Sequence, residues 1–280
     1  MRCTQQPKCE ARLNLFVDGF EAYVYSGART FDVRLPSVVF LHGAAQDHSA
    51  WMLQSRYFAH HGWNVLAVDL PGHGHSDGPA LDSVPAIADW AVRAMDAAGI
   101  ARAALVGHSM GSLAALDAAG RHPERVSKLA LLAPSVPMPV SETLLAAARA
   151  DDHVAYEMIT EWSFSPGHQI GGNQQPGLWM TGNGLRLMER SKPGVLYADL
   201  SACHHYADGL EAARLIRSPV LLILGERDRM APPKNTRDLV SALAEVRVVT
   251  LRETGHSLMT EGPDQVLDAL REFLTLPSAT

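Results

Sequence analysis

Ser109 stands between two glycines in Gly107-His108-Ser109-Met110-Gly111, after the β-rich run 103–107 and before an alanine-rich run that stops at Pro123. A serine at a strand-to-helix turn sits in strained backbone with its hydroxyl lifted clear. Glycines two positions to either side let strand and helix pass closely. That is the placement of a nucleophile; the plainer reading is a glycine-softened loop before a helix. A serine hydroxyl attacks poorly near neutral pH unless a base takes its proton and a carboxylate orients the base. His256, in ETGHSLM, and Asp228, in GERDRM, supply those types. Each directly follows a strand-like run (VRVVTL and PVLLILG), and the order Ser109, Asp228, His256 is the one such a turn predicts. Asp69 also ends a strand but precedes Ser109, so a structural hydrogen-bonding role is expected for it. Asp117 and Glu124 lie on or just after the helix that follows Ser109 and are expected to point away.

The elements that must position these groups alternate. Strand-like runs at 12–17 and 21–25 flank Asp18-Gly19, a hairpin signal. Further runs at 37–41, 64–69, 103–107, 126–133, 219–225 and 246–251 are mostly apolar at both parities, as in parallel strands buried on two faces. Helical patterns at 49–61, 84–98, 111–122, 234–243 and 263–274 separate them, with Ser83 a plausible cap and Pro85 in the first turn of the second. The pattern predicts an α/β fold, a doubly wound and mostly parallel sheet flanked by helices, with the hairpin as an antiparallel edge. Between Pro134 and Pro219 no strand pattern occurs. Helical pieces at 141–150, 151–162, 184–191 and 194–206 surround the Gly/Pro/Gln-rich stretch SPGHQIGGNQQPGLWMTGNG. An insertion of that length is usually functional. The expected division is a core over 1–136 and 210–280, with a helical cap or lid over 137–209.

The whole-chain numbers exclude several classes. With 280 residues and 47% hydrophobic content the chain can bury a full core. A net charge of −6 leaves neither a nucleic-acid footprint nor a polybasic membrane patch, and no run has the length of an apolar membrane span. The N-terminal stretch lacks the apolar centre of a secretory signal, and Cys3, Cys9 and Cys203 read as reduced thiols, so a cytoplasmic location is expected.

Thirteen histidines raise a metal reading. His73-Gly74-His75-Ser76-Asp77 mimics an H-x-H-x-D ligand run, but Gly78 stands where a further histidine normally follows, so no metal is expected. His42 is expected to brace its loop and His108 to pack and hydrogen-bond. His42, Trp162, Trp179, Met180 and His204 are the candidates for a substrate pocket; for the cap residues, core packing or solvent exposure is the competing role.

The segments LHGAAQD, VDLPGHGHSD, VGHSMGS, LGERDRM and ETGHSLMTEGP together resemble the α/β-hydrolase superfamily, in its serine-nucleophile esterase, carbon–carbon hydrolase and perhydrolase-like branch with a helical cap. The resemblance covers nearly the whole chain. It implies Ser109 as nucleophile, His256 as base, Asp228 as its carboxylate, and the backbone N–H groups of Ala44 and Met110 as an oxyanion hole. After the sixth strand, where some relatives keep their acid, this chain has Pro134 and Ser135. Ser112 departs from the pattern where many relatives have a third glycine, and the cap matches no characterised member. The expected reaction is cleavage of a small apolar or amphipathic carboxylic ester through an acyl-enzyme, with no cofactor. Carbon–carbon cleavage of ring-fission-type diketones, lactone opening and peracid formation use the same machinery. A non-catalytic ligand receptor is the competing class; loss of a triad member would mark it, and none is lost.

Overall fold

The computed structural model describes residues 12–32, 34–172 and 177–276, so Cys3, Cys9 and most of the N-terminal stretch lie outside the described residues. β1 (Arg12–Val17) and β2 (Phe20–Tyr25) pair antiparallel, with Val17 opposite Phe20. The two-residue turn has φ of 53° at Asp18 and 84° at Gly19. Positive φ at both positions matches the twist of the flanking strands, which is why an Asp-Gly pair forms this hairpin.

Then follow β3 (Ser37–Leu41), α1 (Met52–His60), β4 (Asn64–Val68), α2 (Val84–Ala97), β5 (Ala103–His108), α3 (Met110–Arg121) and β6 (Val126–Leu132). The helix expected over 49–61 divides into a 3-10 turn, His48–Trp51, and α1. Among the described residues six helices lie in the interval before the next strand: α4 (Glu142–Arg149), α5 (Val154–Ser163), α6 (Pro166–Gln169), α7 (Met180–Met188), α8 (Val195–His205) and α9 (Gly209–Leu215). β7 (Val220–Gly225), α10 (Arg237–Ala242), β8 (Val246–Leu251), α11 (Leu258–Glu261) and α12 (Pro263–Thr275) complete the chain. α7 begins four residues before the expected 184. Gly182 and Gly184 do not delay it, because the Trp179 ring and Phe164 close over them and occupy the space a Cβ would need.

The sheet order is β1-β2-β4-β3-β5-β6-β7-β8. β2 meets β4 antiparallel, and every pair from β4 to β8 is parallel. Alternate residues face opposite layers. Val39, Leu41, Leu105 and Leu131 pack with α2 and α3, whereas Val38, Phe40, Val106 and Leu132 pack with Phe58 of α1 and Phe273 of α12. Burying one side chain such as Phe40 contributes about 1.5–3 kcal/mol. β8 is the exception to two-sided burial. As the outer strand it leaves Val248 exposed.

β3 has β4 on one side and β5 on the other, and the chain reverses its direction of travel across the sheet there. The crevice beyond the C-terminal ends of such a strand pair is where open α/β sheets bind ligands. The loop after β3 and the turn after β5 flank it. Helices α4, α5, α7 and α8 form a small apolar cluster of their own, including Leu144, Ile159, Met188 and Leu200, and Ala45 of the loop after β3 joins it.

Candidate active site

The turn after β5 carries Ser109 at φ 52° and ψ −117°, left-handed backbone that a side chain rarely adopts. The turn is held from both ends. The Ser109 amide donates to Leu132 O at 3.0 Å, and its carbonyl accepts from the Ser112 amide at 2.9 Å. A Cβ on Gly107 would lie 2.1 Å from Gly111 O, and one on Gly111 would lie 2.3 Å from Leu41 O, so no larger residue fits at either position. The Ser112 hydroxyl donates back to Ser109 O at 2.5 Å and stays inside the helix start.

His256 follows β8 and Asp228 follows β7. His256 Nδ1 lies 2.8 Å from Asp228 Oδ2. The carboxylate only accepts, so Nδ1 carries the hydrogen and Nε2 keeps a free lone pair. The other oxygen, Oδ1, accepts from the amides of Met230 and Ala231, both at 2.8 Å. Burial works against the Asp228 charge, yet the His256 partner and these donors hold its carboxyl below the usual range. The His256 amide donates to Ser163 O at 2.7 Å, and His108 Nε2 donates to His256 O at 2.9 Å. Burial, then the neighbouring His256, push the His108 imidazole down to about 3, so it stays neutral and braces the His256 backbone.

Ser109 and His256 open into a cavity of about 500 Å³, with Gly43 and Ala44 on its wall. Gly43 lies against the Ser109 turn: a Cβ there would sit 3.4 Å from Ser109 Cβ. Ala44 follows. Met110 is the first residue of α3, where amides have no acceptor within the helix and the macrodipole is positive. The helices between β6 and β7 line the cavity with the apolar side chains of Leu144, Ile159, Trp162, Met188 and Leu200.

Four of the five proposed pocket residues lie elsewhere. Trp162 is in the lining, but Trp179 is 66% exposed, its ring laid over Gly182 outside the cavity. Met180 is buried within the cap, away from the lining. His204 borders a separate cleft of about 140 Å³ and pairs through Nδ1 with the backbone of Val140. His42 is fully buried behind the loop, its Nδ1 donating to Gly43 O at 2.8 Å. Asp69 accepts from the His48 amide, His48 Nδ1 and the His75 amide, a bracing role. Asp117 pairs with Arg121 and the Tyr206 hydroxyl. The histidines of the HGHSD run turn to different partners, His73 to Asp199 and His75 to the Tyr23 ring. Among the described residues Asp47, His48 and Asp69 bring ligand-type atoms within 4.8 Å of one another. Those atoms are taken up internally, Asp47 by Ser49 and Asp69 by His48. No helix of the described residues is long and apolar enough to cross a membrane.

Contacts that the sequence does not signal also shape the site. Gln46 Oε1 accepts from the Gly43 amide at 3.2 Å. Glu261 receives the amides of Gly255 and Ser165, tying the His256 loop to the start of α6. Asp199 of α8 accepts from the Ala45 amide at 2.8 Å.

The family described as alpha/beta hydrolase fold matches residues 36–263. The chain is 24% identical, over 85% of its length and 89% of the relative's, to the (E)-2-((N-methylformamido)methylene)succinate hydrolase of Acinetobacter baylyi. It is 27% identical to the pimeloyl-[acyl-carrier protein] methyl ester esterase of Neisseria meningitidis, over 76% and 83%. It is also 27% identical to Protein ABHD8 of Mus musculus, of whose length it spans only 54%. The crystal structure of the enol-lactonase from Burkholderia xenovorans superposes with a TM-score of 0.83 at 24% identity, covering 94% of this chain and all of that one. With its mostly parallel eight-stranded sheet and a family match over most of its length, this chain belongs to the alpha/beta hydrolase fold family and is an enzyme of that fold.

Proposed function

We propose that the protein is a serine hydrolase that cleaves small carboxylic esters through an acyl-enzyme. The observation that carries this reading is the 2.8 Å His256–Asp228 bond, which leaves His256 Nε2 basic in the same cavity as Ser109 on its strained turn. Ser109 Oγ attacks the ester carbon and gives its proton to His256 Nε2. The carbonyl oxygen gathers negative charge between the amides of Ala44 and Met110, each such donor being worth roughly 10²–10³ in rate. His256 then gives the proton to the departing alkoxide. Water gives a proton to the same nitrogen and attacks the acyl carbon; the bond from that carbon to Ser109 Oγ breaks, His256 returns the proton to Oγ, and the acid is released. The cap lays apolar side chains over the acyl group and keeps bulk water out. Support also comes from the methyl ester esterase among the relatives.

A specific residue favours an ester that also bears a carboxylate. Among the described residues Arg229 is the one lysine or arginine in the cavity lining, and it meets the Glu161 carboxylate only at 3.9 Å, leaving the guanidinium loosely held. The relative named for a substituted succinate agrees with this. The test is covalent labelling by a fluorophosphonate and turnover of p-nitrophenyl acetate, followed by neutral and hemisuccinate esters of one alcohol. Absence of both labelling and turnover would overturn the serine-esterase reading. Equal kcat/KM for the two esters, unchanged in Arg229→Gln, would remove the carboxylate preference.

A further inference from the structure

We propose that Asp199 and His73 form a buried charged pair that holds the Ala44 amide in its oxyanion-binding orientation, so that seating of the cap and assembly of the oxyanion site are one event. The inference rests on the serine-hydrolase reading above. Asp199 arrives on α8 of the insertion and His73 on the loop after β4; their side chains are 1% and 3% exposed. His73 Nε2 lies 2.8 Å from Asp199 Oδ2, and Nδ1 lies 3.0 Å from Pro71 O. Both partners accept only, so both ring nitrogens carry hydrogen and His73 is an imidazolium. Burial opposes that charge, but the Asp199 carboxylate, by attraction and hydrogen bond, raises His73 above its ordinary value.

The pair reaches the loop after β3 by two routes. Asp199 Oδ2 also accepts the Ala45 amide, which fixes the peptide that follows Ala44. The peptide before Ala44 is fixed through Gly43 O, which accepts from the Gln46 amide at 3.2 Å and from His42 Nδ1 at 2.8 Å. His42 donates from Nδ1 because its Nε2 accepts the Leu70 amide at 3.1 Å. That tautomer needs a neutral ring. Burial, then the His73 charge, whose ring centroid is 4.9 Å away, hold His42 down to about 4. Ala44 lies between two clamped peptides.

Packing alone is a poor reason to keep this pair. Asp199 Oδ1 is buried with no hydrogen-bond partner among the described residues, a costly arrangement for an ion. The remaining groups that feel the pair are few: Asp69 supports the His73 charge, and the Cys203 thiol, one turn along α8, is raised by burial and by Asp199. The Ser191 hydroxyl reaches Ala45 O at 3.2 Å and Lys192 Nζ reaches Ser76 O at 3.1 Å, so the turn before α8 grips the same two loops. Withdrawal of α8 therefore removes the acceptor from Ala45 and bares the His73 charge.

The experiment compares full-length Asp199→Ala, Asp199→Asn and His73→Gln with the parent. It reads kcat and KM on p-nitrophenyl acetate, affinity for a trifluoromethyl ketone, whose serine adduct carries the oxyanion, and hydrogen exchange across 43–47. In Asp199→Ala, kcat and ketone affinity are expected to fall together by about 10- to 100-fold, part of the worth of one oxyanion donor. KM should stay within about twofold, and exchange at 43–47 should quicken. Asp199→Asn should recover part of the loss, since its amide oxygen still accepts from Ala45. His73→Gln should fall with Asp199→Ala. Two results overturn the proposal: unchanged exchange at 43–47 in Asp199→Ala, or a raised KM with kcat and ketone affinity intact. If Asp199→Ala does not fold, the same comparison is made on Asp199→Asn and His73→Gln. A parent that neither turns over ester nor labels with fluorophosphonate overturns the esterase reading instead, and exchange at 43–47 still decides whether Asp199 holds the loop.

Discussion

At the scale of single residues, Ser109 pays twice for its position. Its φ of 52° stores strain, about 1–3 kcal/mol for a side chain held in sparsely populated backbone, and the close contacts of Gly107 and Gly111 prevent the turn from relaxing. Ser109→Ala is expected to lose more than about 10⁴-fold in ester turnover and all fluorophosphonate labelling. Ser109→Gly should lose as much activity yet melt at a higher Tm than Ser109→Ala, because only glycine relieves the backbone. Equal Tm values would show the turn to be unstrained. Asp228→Asn should cost about 10⁴-fold in kcat, since the amide presents a donor where His256 Nδ1–H needs an acceptor; an equal loss in Asp69→Asn would transfer that role. The strand-end placement of Ser109, Asp228 and His256 was legible in the sequence because each is fixed by its own few neighbours: a glycine pair, or a strand that ends a few residues earlier. Asp199, His73 and Gln46 were not. What makes Asp199 matter is an amide 154 positions away and a ring 126 away, and no local pattern encodes such a meeting.

At the scale of elements, the sheet was readable, and the strand-free interval between β6 and β7 showed only as helical pieces. Two-sided burial of β3 to β7 forces near-continuous apolar runs, which stand out against polar loops. The cap helices are short, and their apolar residues serve either the cap's own cluster, the cavity or neither. Composition cannot separate these uses, which is why Trp162, Trp179 and Met180 looked alike. The structure separates them. Trp162→Ala is expected to redistribute kcat/KM across acyl lengths by roughly 1–3 kcal/mol, the scale of a hydrophobic pocket contact, with labelling at Ser109 changed much less. Trp179→Ala should leave that profile flat. The reverse pattern would place the acyl group on the other side of α7. Lys128, buried in β6, shows another contact hidden from local sequence. Its ammonium caps the C-terminal end of α12 by donating to Phe273 O and Leu274 O at 2.9 Å and to Leu276 O. Lys128→Met should lower stability by about 1–3 kcal/mol, read by urea titration, because those buried carbonyls lose their donor. An unchanged midpoint would mean that water replaces it.

For the whole molecule, the buried histidines set how stability depends on pH, and they act in opposite directions. His42 and His108 are held neutral in the fold, at about 4 and about 3, whereas unfolded histidines titrate near 6.5. Below about pH 6.5 the unfolded chain therefore binds protons that these two refuse. Stability falls with a slope of up to about 1.4 kcal/mol per pH unit for each, and His42 drops out below about pH 4. The carboxyls of Asp228 and Asp69, held below their usual range, add to the acid loss, since their contribution is present above about pH 4 and disappears as pH falls through their folded values. His73 has the opposite sign. Its folded value is raised, so its contribution is complete below about pH 6.5 and is lost as pH rises through that value. His153 is also raised, by its bond to Glu189 and by Glu157, but on the solvent-facing surface, where the effect is screened. The expected Tm profile between pH 4 and 9 has its maximum near 6.5, with a steep acid limb and a shallower alkaline one. Asp199→Asn, which removes the charge that raises His73, should flatten the alkaline limb. A parent Tm that is level from pH 6.5 to 4.5 would show that His42 and His108 accept protons in the folded state, and with that the neutral His42 that clamps Gly43 O would be lost as well.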